Sequence, residues 1–194
     1  MHELLKLRDE ALACTRCQLV ASRNKLVFGE GNPDAGIFMI GEGPGYDENE
    51  QGRPFVGKSG QLLDKILAVC GFNRQEHIYI GNIVKCRPPG NRNPSPAEAA
   101  ACMPYLHKQI ELVNPAIIIL MGAVALKYMI NDDLRITKVR GQWIEKDGRW
   151  FIPVYHPSAL LRNPALKKDT WEDYKNIVRK YREVVDAGHV CEYL

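Results

Sequence analysis

Four of the six cysteines in the 194-residue chain are spaced in a way that suits a metal centre. Cys14-Thr15-Arg16-Cys17 is a CxxC pair, Cys86 follows after 68 residues, and Cys102 after 15 more. A CxxC loop offers two thiolates to one centre. Two further thiolates complete either a tetrahedral zinc site or the four corners of an iron–sulfur cube, and spacing does not choose between them. A thioredoxin-like pair would follow a strand in its own unit, whereas this CxxC follows a short N-terminal helical stretch. Cys70 falls on the apolar face of an expected helix and Cys191 in the tail, so both stay outside the set. MHELLKLRDE lacks the apolar core of a secretory signal, which makes an intracellular, cytoplasmic protein without disulfides the expectation.

A second group of residues stands where apolar runs end. Gly41-Glu42-Gly43-Pro44-Gly45 follows the run 37–40, Asn82 closes the run that starts at 77, and His156 follows 150–155. Singly these are a tight turn, a satisfied buried amide and a capping histidine. Together they sit at one edge of a sheet, and open α/β sheets bind ligands outside the carboxyl ends of their strands. The glycine spacing is wrong for GxGxxG, and no GK[ST] follows, so neither nucleotide-phosphate motif is present.

The elements that must carry these residues alternate. Residues 37–40, 77–84, 116–121 and 150–155 read as strands, and 116–121, continuous and β-branched, reads as a strand covered on both faces. Residues 60–70 place Leu62, Leu63, Ile66, Leu67 and Cys70 at helical spacing, with Gly71 beyond as a stop. Ser95, Pro96 and Glu98 have the spacing of a capping box that opens a helix ending at Asn114-Pro115. Residues 123–130 fit a short helix and 170–185 an amphipathic one. Lys146-Asp147-Gly148-Arg149 between two aromatic-rich runs predicts a hairpin. The order implies one α/β sandwich domain, residues 1–194, around a mainly parallel sheet.

Composition agrees, with 45% hydrophobic and 25% charged residues and no apolar run near the ~20 residues of a membrane span. A net charge of +3 is too small to indicate a nucleic-acid partner. Its distribution says more: residues 1–50 hold five basic against nine acidic residues, whereas 85–97 holds Lys85, Arg87 and Arg92 and no acid. A second basic stretch, 162–183, has seven basic and four acidic residues. The first would lie at the rim of the metal centre, which then shapes a DNA-facing loop without redox chemistry. A solvated helix face is the alternative for both stretches.

The Gly41–Gly45 turn, Gly52-Arg53-Pro54-Phe55-Val56-Gly57, Asn82, the four spaced cysteines and His156-Pro157-Ser158-Ala159-Leu160-Leu161-Arg162 together resemble family 4 uracil-DNA glycosylases. The resemblance spans about residues 10–185. It implies the three-layer α/β/α sandwich of that superfamily with a central, mainly parallel four-stranded sheet. It also implies a [4Fe–4S] cluster on Cys14, Cys17, Cys86 and Cys102, joining the N-terminal segment to the 86–102 region. The implied reaction is hydrolysis of the N-glycosidic bond of deoxyuridine in single- or double-stranded DNA, giving free uracil and an abasic site.

On that footing each motif acquires a role. Asn82 reads the Watson–Crick edge, donating to uracil O4 and accepting from N3–H, a pattern that cytosine reverses. Phe55 lies against the base, and Glu48 blocks the C5-methyl of thymine. Gly41 and Gly43 border the base, and amides near Glu42 and Gly43 join His156 in stabilising the departing uracil anion. Related glycosylases orient water with an aspartate where this chain has Gly43 and where family 4 most often has Ala, which leaves Glu42 and Asn91 as candidates. No lysine matches a nucleophile, so no lyase step is expected. Leu160, Leu161 and Arg162 resemble a minor-groove wedge loop, with Leu161 as the wedge, and Lys85 and Arg87 add basic DNA contacts. A monomer is expected, and the rival reading is a metal-stabilised nucleic-acid-binding module without turnover.

Overall fold

The computed structural model describes residues 2–194. Helix α1 (His2–Leu12) precedes a two-residue strand β1 (Glu30–Gly31) and strand β2 (Ile37–Gly41). Helices α2 (Tyr46–Gln51) and α3 (Lys58–Val69) lead to β3 (Ile78–Asn82), α4 (Pro96–Val113), β4 (Ile117–Met121) and α5 (Ala123–Met129). After α6 (Ile136–Val139) come the hairpin β5 (Ile144–Lys146) and β6 (Arg149–Val154), then α7 (Pro157–Arg162) and α8 (Lys167–Val184).

Strands β2, β3 and β4 are buried at every residue, as their unbroken apolar runs require when helices cover both faces. Successive side chains point to opposite faces, and two cores result. Phe38, Ile40, Tyr79, Ile118, Leu120 and Phe151 pack with α1, α4 and α5. Ile37, Met39, Ile80, Ile119 and Ile152 pack with Leu63 and Leu67 of α3 and Tyr174, Ile177 and Val178 of α8. The three-layer sandwich is thus built as expected.

The sheet order is β1-β3-β2-β4-β6-β5. The four central strands are parallel, while β1 and β5 pair antiparallel at the two edges. The expected four strands are therefore the parallel centre of a six-stranded sheet. β5 is the hairpin partner that the Asp147-Gly148 turn called for, both turn residues having positive φ. β1, two residues long, is too short to leave a pattern.

Helix α4 starts at the expected box: Ser95 Oγ accepts from Glu98 N at 3.3 Å, and Glu98 Oε2 accepts from Ser95 N at 2.7 Å. Asn114 in the left-handed region ends it. Among the described residues no helix is long and apolar enough to cross a membrane.

Topology then fixes where a ligand goes. The chain passes from β2 to β3 on one side and to β4 on the other, so the strand order reverses beside β2. Gly41 pairs with Asn82 in register, which brings the two strand ends to this reversal point.

Candidate active site

A cavity of about 590 Å³ opens there, lined by Glu42, Gly43, Glu48, Phe55, Asn82, Asn91, His156 and Arg162 among others. Its walls come from the turn after β2, the end of β3, the segment after β4 and the start of α7. The convergence expected from the strand ends is thus present.

Asn82 is 2% exposed, and its Oδ1 is buried without a hydrogen-bond partner. A buried unpaired acceptor costs about 1–3 kcal/mol, so this oxygen is suited to an N–H that arrives with a ligand. Gly41 stands behind the wall. A Cβ there would collide with Asn82 Oδ1 and come within 2.8 Å of Phe55 Cζ; its missing side chain makes room for both.

Phe55 is 6% exposed and has φ 52°, which sets its ring 5.5 Å from that of His156 at 34°. Glu48, expected as the wall against a methyl group, is also a strut. Its Oε1 accepts from Val56 N and Gly57 N, both at 2.8 Å, and its Oε2 from Gly45 N at 3.1 Å. It still lines the cavity, but its carboxylate binds the loop that carries Phe55.

His156 caps α7. Ser158 N donates to its Nδ1 at 3.1 Å, and Ser158 Oγ lies 2.9 Å from the same nitrogen. A backbone N–H only donates, so Nδ1 must carry the lone pair, which assigns the ring proton to Nε2. Burial first, then the Arg162 guanidinium, holds the imidazole down to about 4, with Glu48 opposing. The ring is therefore a neutral donor at ordinary pH. Burial also raises the Glu42 carboxyl.

Two expected DNA contacts, Lys85 and Leu160, turn inward, and Arg92 of the same basic stretch is tied to a carboxylate. Lys85 does not face DNA: it is 1% exposed, with Nζ donating to Asn82 O at 3.0 Å and Gln109 Oε1 at 2.6 Å. Burial lowers it to about 8. Leu160 is 2% exposed and packs inward, whereas Leu161 beside it is 48% exposed. Arg92 forms a fork with Glu98 at 2.7 and 2.8 Å, which holds that carboxyl down at about 2. Arg87 stays on the rim, over the Tyr46 ring and donating to Asn91 Oδ1 at 2.7 Å. Sequence reasoning gave no role to Ser158, although the H-P-S order, with proline at the first helical position, carried a signal for it.

Cys14, Cys17, Cys86 and Cys102 line one small cavity of about 20 Å³ with Arg16, Arg23 and Tyr105. All four are free thiols. Cys86 Sγ accepts from Arg23 Nη1 at 3.4 Å and Cys102 Sγ from Lys85 N at 3.3 Å, the N–H to sulfur bonding that iron–sulfur ligands receive. Burial pushes the Cys102 thiol up to about 11, so bare thiolates are disfavoured and a cationic centre would offset that cost. Among the described residues no three such side chains are gathered closely enough to hold a single ion. The donor set suits a four-thiolate group rather than a mixed one.

An open sheet whose reversal point holds an unpaired amide oxygen, an aromatic residue and a neutral imidazole is shaped and equipped for a planar heterocycle. The family model described as the uracil DNA glycosylase superfamily matches residues 28–175, and the chain belongs to that superfamily. It is 45% identical to the type-4 uracil-DNA glycosylase of Thermotoga maritima over 92% of this chain and 97% of that protein. The type-4 enzyme of Sulfurisphaera tokodaii is 42% identical over 91% of this chain and 84% of its own length. That of Archaeoglobus fulgidus is 38% identical over 91% and 92%. The chain belongs with these type-4 proteins.

Proposed function

We propose that the chain is a DNA-repair glycosylase that hydrolyses the N-glycosidic bond of deoxyuridine in DNA, releasing uracil and leaving an abasic site. The observation that carries this is the unpaired Oδ1 of Asn82 in a cavity shared with Phe55 and His156. Uracil N3–H donates to that oxygen, and the Asn82 amide donates to O4. Cytosine offers a lone pair at N3 and an amine at C4, so both bonds would become repulsive. Rejection by unpaired buried groups reaches several orders of magnitude.

The everted base lies on Phe55, where stacking contributes about 1–3 kcal/mol. As the bond to the sugar breaks, uracil leaves as an anion, and Nε2–H of His156 donates to O2, where charge collects. A neutral donor suits a stable anionic leaving group because no proton has to be transferred. Glu42 orients the attacking water and faces the cation-like sugar. Among the described residues no lysine lines the cavity, which supports release by water without a Schiff base or strand cleavage. Glu48, braced against three amides, closes the edge that a thymine methyl would need. Leu161 fills the gap left in the duplex, and Arg162 and Arg87 meet phosphates.

Cys14, Cys17, Cys86 and Cys102 hold a [4Fe–4S] cluster, which supplies a structural cross-link and no step of the hydrolysis. The test of the whole reading uses one oligonucleotide containing a single uracil, with alkaline cleavage at abasic sites as readout. The expected result is cleavage at uracil and none with thymine or cytosine at that position. Binding without cleavage would replace the enzyme by a DNA-binding module.

A further inference from the structure

A backbone in the left-handed region is uncommon for an aromatic residue and persists only where its surroundings over-determine it. Phe55, at φ 52°, is held by two opposite charges. The buried Glu48 carboxylate already described accepts from the next two amides, Val56 N and Gly57 N. On the carbonyl side Arg74 Nη1 donates to Pro54 O at 2.9 Å and Nη2 to Phe55 O at 2.6 Å.

Arg74 is 8% exposed and is itself fixed. Its Nε donates to Asp64 Oδ1 at 2.7 Å, and Nη1 lies 3.7 Å from Glu30 Oε1. Space is equally tight beneath the loop, because a Cβ at Gly60 would overlap the Phe55 carbonyl. A planar fork bonds two successive carbonyls and a carboxylate from three separate nitrogens; a lysine, whose three donors leave one nitrogen, cannot span acceptors so placed.

We propose that Arg74 is a positioning residue for base recognition. It locks the 54–55 peptides so that the Phe55 ring keeps its place beside His156 as the platform for the everted pyrimidine. This rests on the reading of the cavity as a uracil pocket. Arg74 is not part of the cavity wall, so it acts through Phe55 and not through contact with the base.

Two measurements test it. In the first, 4-fluorophenylalanine is placed at position 55 and its fluorine signal compared between the parent chain and Arg74→Gln. One narrow line should become shifted or broadened, while far-ultraviolet circular dichroism is unchanged. The second is a single-turnover cycle with Arg74→Gln, Phe55→Ala and the double variant on a uracil-containing strand. Arg74→Gln should slow excision about 10- to 100-fold, and should add nothing to Phe55→Ala. Arg74→Lys, which keeps a charge for Asp64 but loses the fork, reads the same two signatures where Arg74→Gln is not recovered folded. An unaltered fluorine line, or losses that multiply in the double variant, overturns the proposal. If the parent chain releases no uracil, the functional reading fails, and the fluorine line alone still decides whether Arg74 sets Phe55.

Discussion

At His156 a pair of local hydrogen bonds decides the chemistry. With Nδ1 accepting from Ser158 N, the ring offers Nε2–H as a donor, and burial keeps it neutral down to about 4. An unfolded histidine titrates near ~6.5. Between these values the unfolded chain binds more protons, so acidification from ~6.5 to about 4 destabilises the fold. The loss is ~3 kcal/mol at most, and this group adds no slope above ~6.5. His156→Asn should remove that part of the acid slope, measured as the parent-minus-variant difference in urea midpoint across the range. Parallel curves would mean that the imidazole is not held neutral. His156→Ala should slow single-turnover excision by about 10², and a normal rate would take the ring out of the reaction. The types at 82, 55 and 156 were readable because each follows a strand or a glycine-rich motif. Lys85 was misread because the usual rule leaves such charges in solvent, and the bracing of the loop by Glu48 went unread for the same reason. Here Glu48 is consumed by three amides of its own neighbourhood, and Lys85 by a carbonyl and by Gln109, 24 residues away. Arg74 left no local trace, since its carbonyl partners lie 19 and 20 residues back.

Among the elements, α7 divides two adjacent leucines between the core and the surface. Leu160 is packed inside and Leu161 faces out. Leu160→Ala should cost about 2–5 kcal/mol, as buried leucines do, and act on all substrates alike through the amount of folded protein. Leu161→Ala should leave stability within about 0.5 kcal/mol yet slow excision from duplex about 10-fold more than from a single strand, because only a duplex closes over the gap. Equal slowing on both substrates would assign Leu161 some other task. The long elements were legible from apolar period and caps: β4 from its unbroken run, α4 from its Ser95–Glu98 box. α2 was not, because YDENEQ buries only Glu48 and Asn49 and shows no apolar face. β1 was lost for want of length. The three unforeseen helices, α2, α6 and α7, are six, four and six residues long, too short for a period to show, and all three border the cavity.

Across the molecule the N-terminal segment is the weakly held part. Helix α1 buries only Leu4 and Ala11, worth about 2–3 kcal/mol at the usual value per buried side chain, which barely offsets the ordering of a few residues. Cys14 and Cys17 lie just beyond it, and their cavity partners Cys86 and Cys102 stand on the loop after β3 and on α4. A four-thiolate centre there joins segments that the sheet does not hold together. The paired change Cys14→Ser and Cys17→Ser should therefore bleach the absorbance near ~400 nm that iron–sulfur gives and zinc, being d¹⁰, does not. It should also let a protease cut first between α1 and β1, while the sheet, whose strands β2, β3 and β4 are buried from end to end, resists longer. Absorbance that survives the double change would exclude the CxxC as ligands. Bleaching with an N-terminal segment that stays resistant would show that packing alone keeps α1 in place, and the cluster would then need a different reason to stand behind the loop that runs from Asn82 to Asn91.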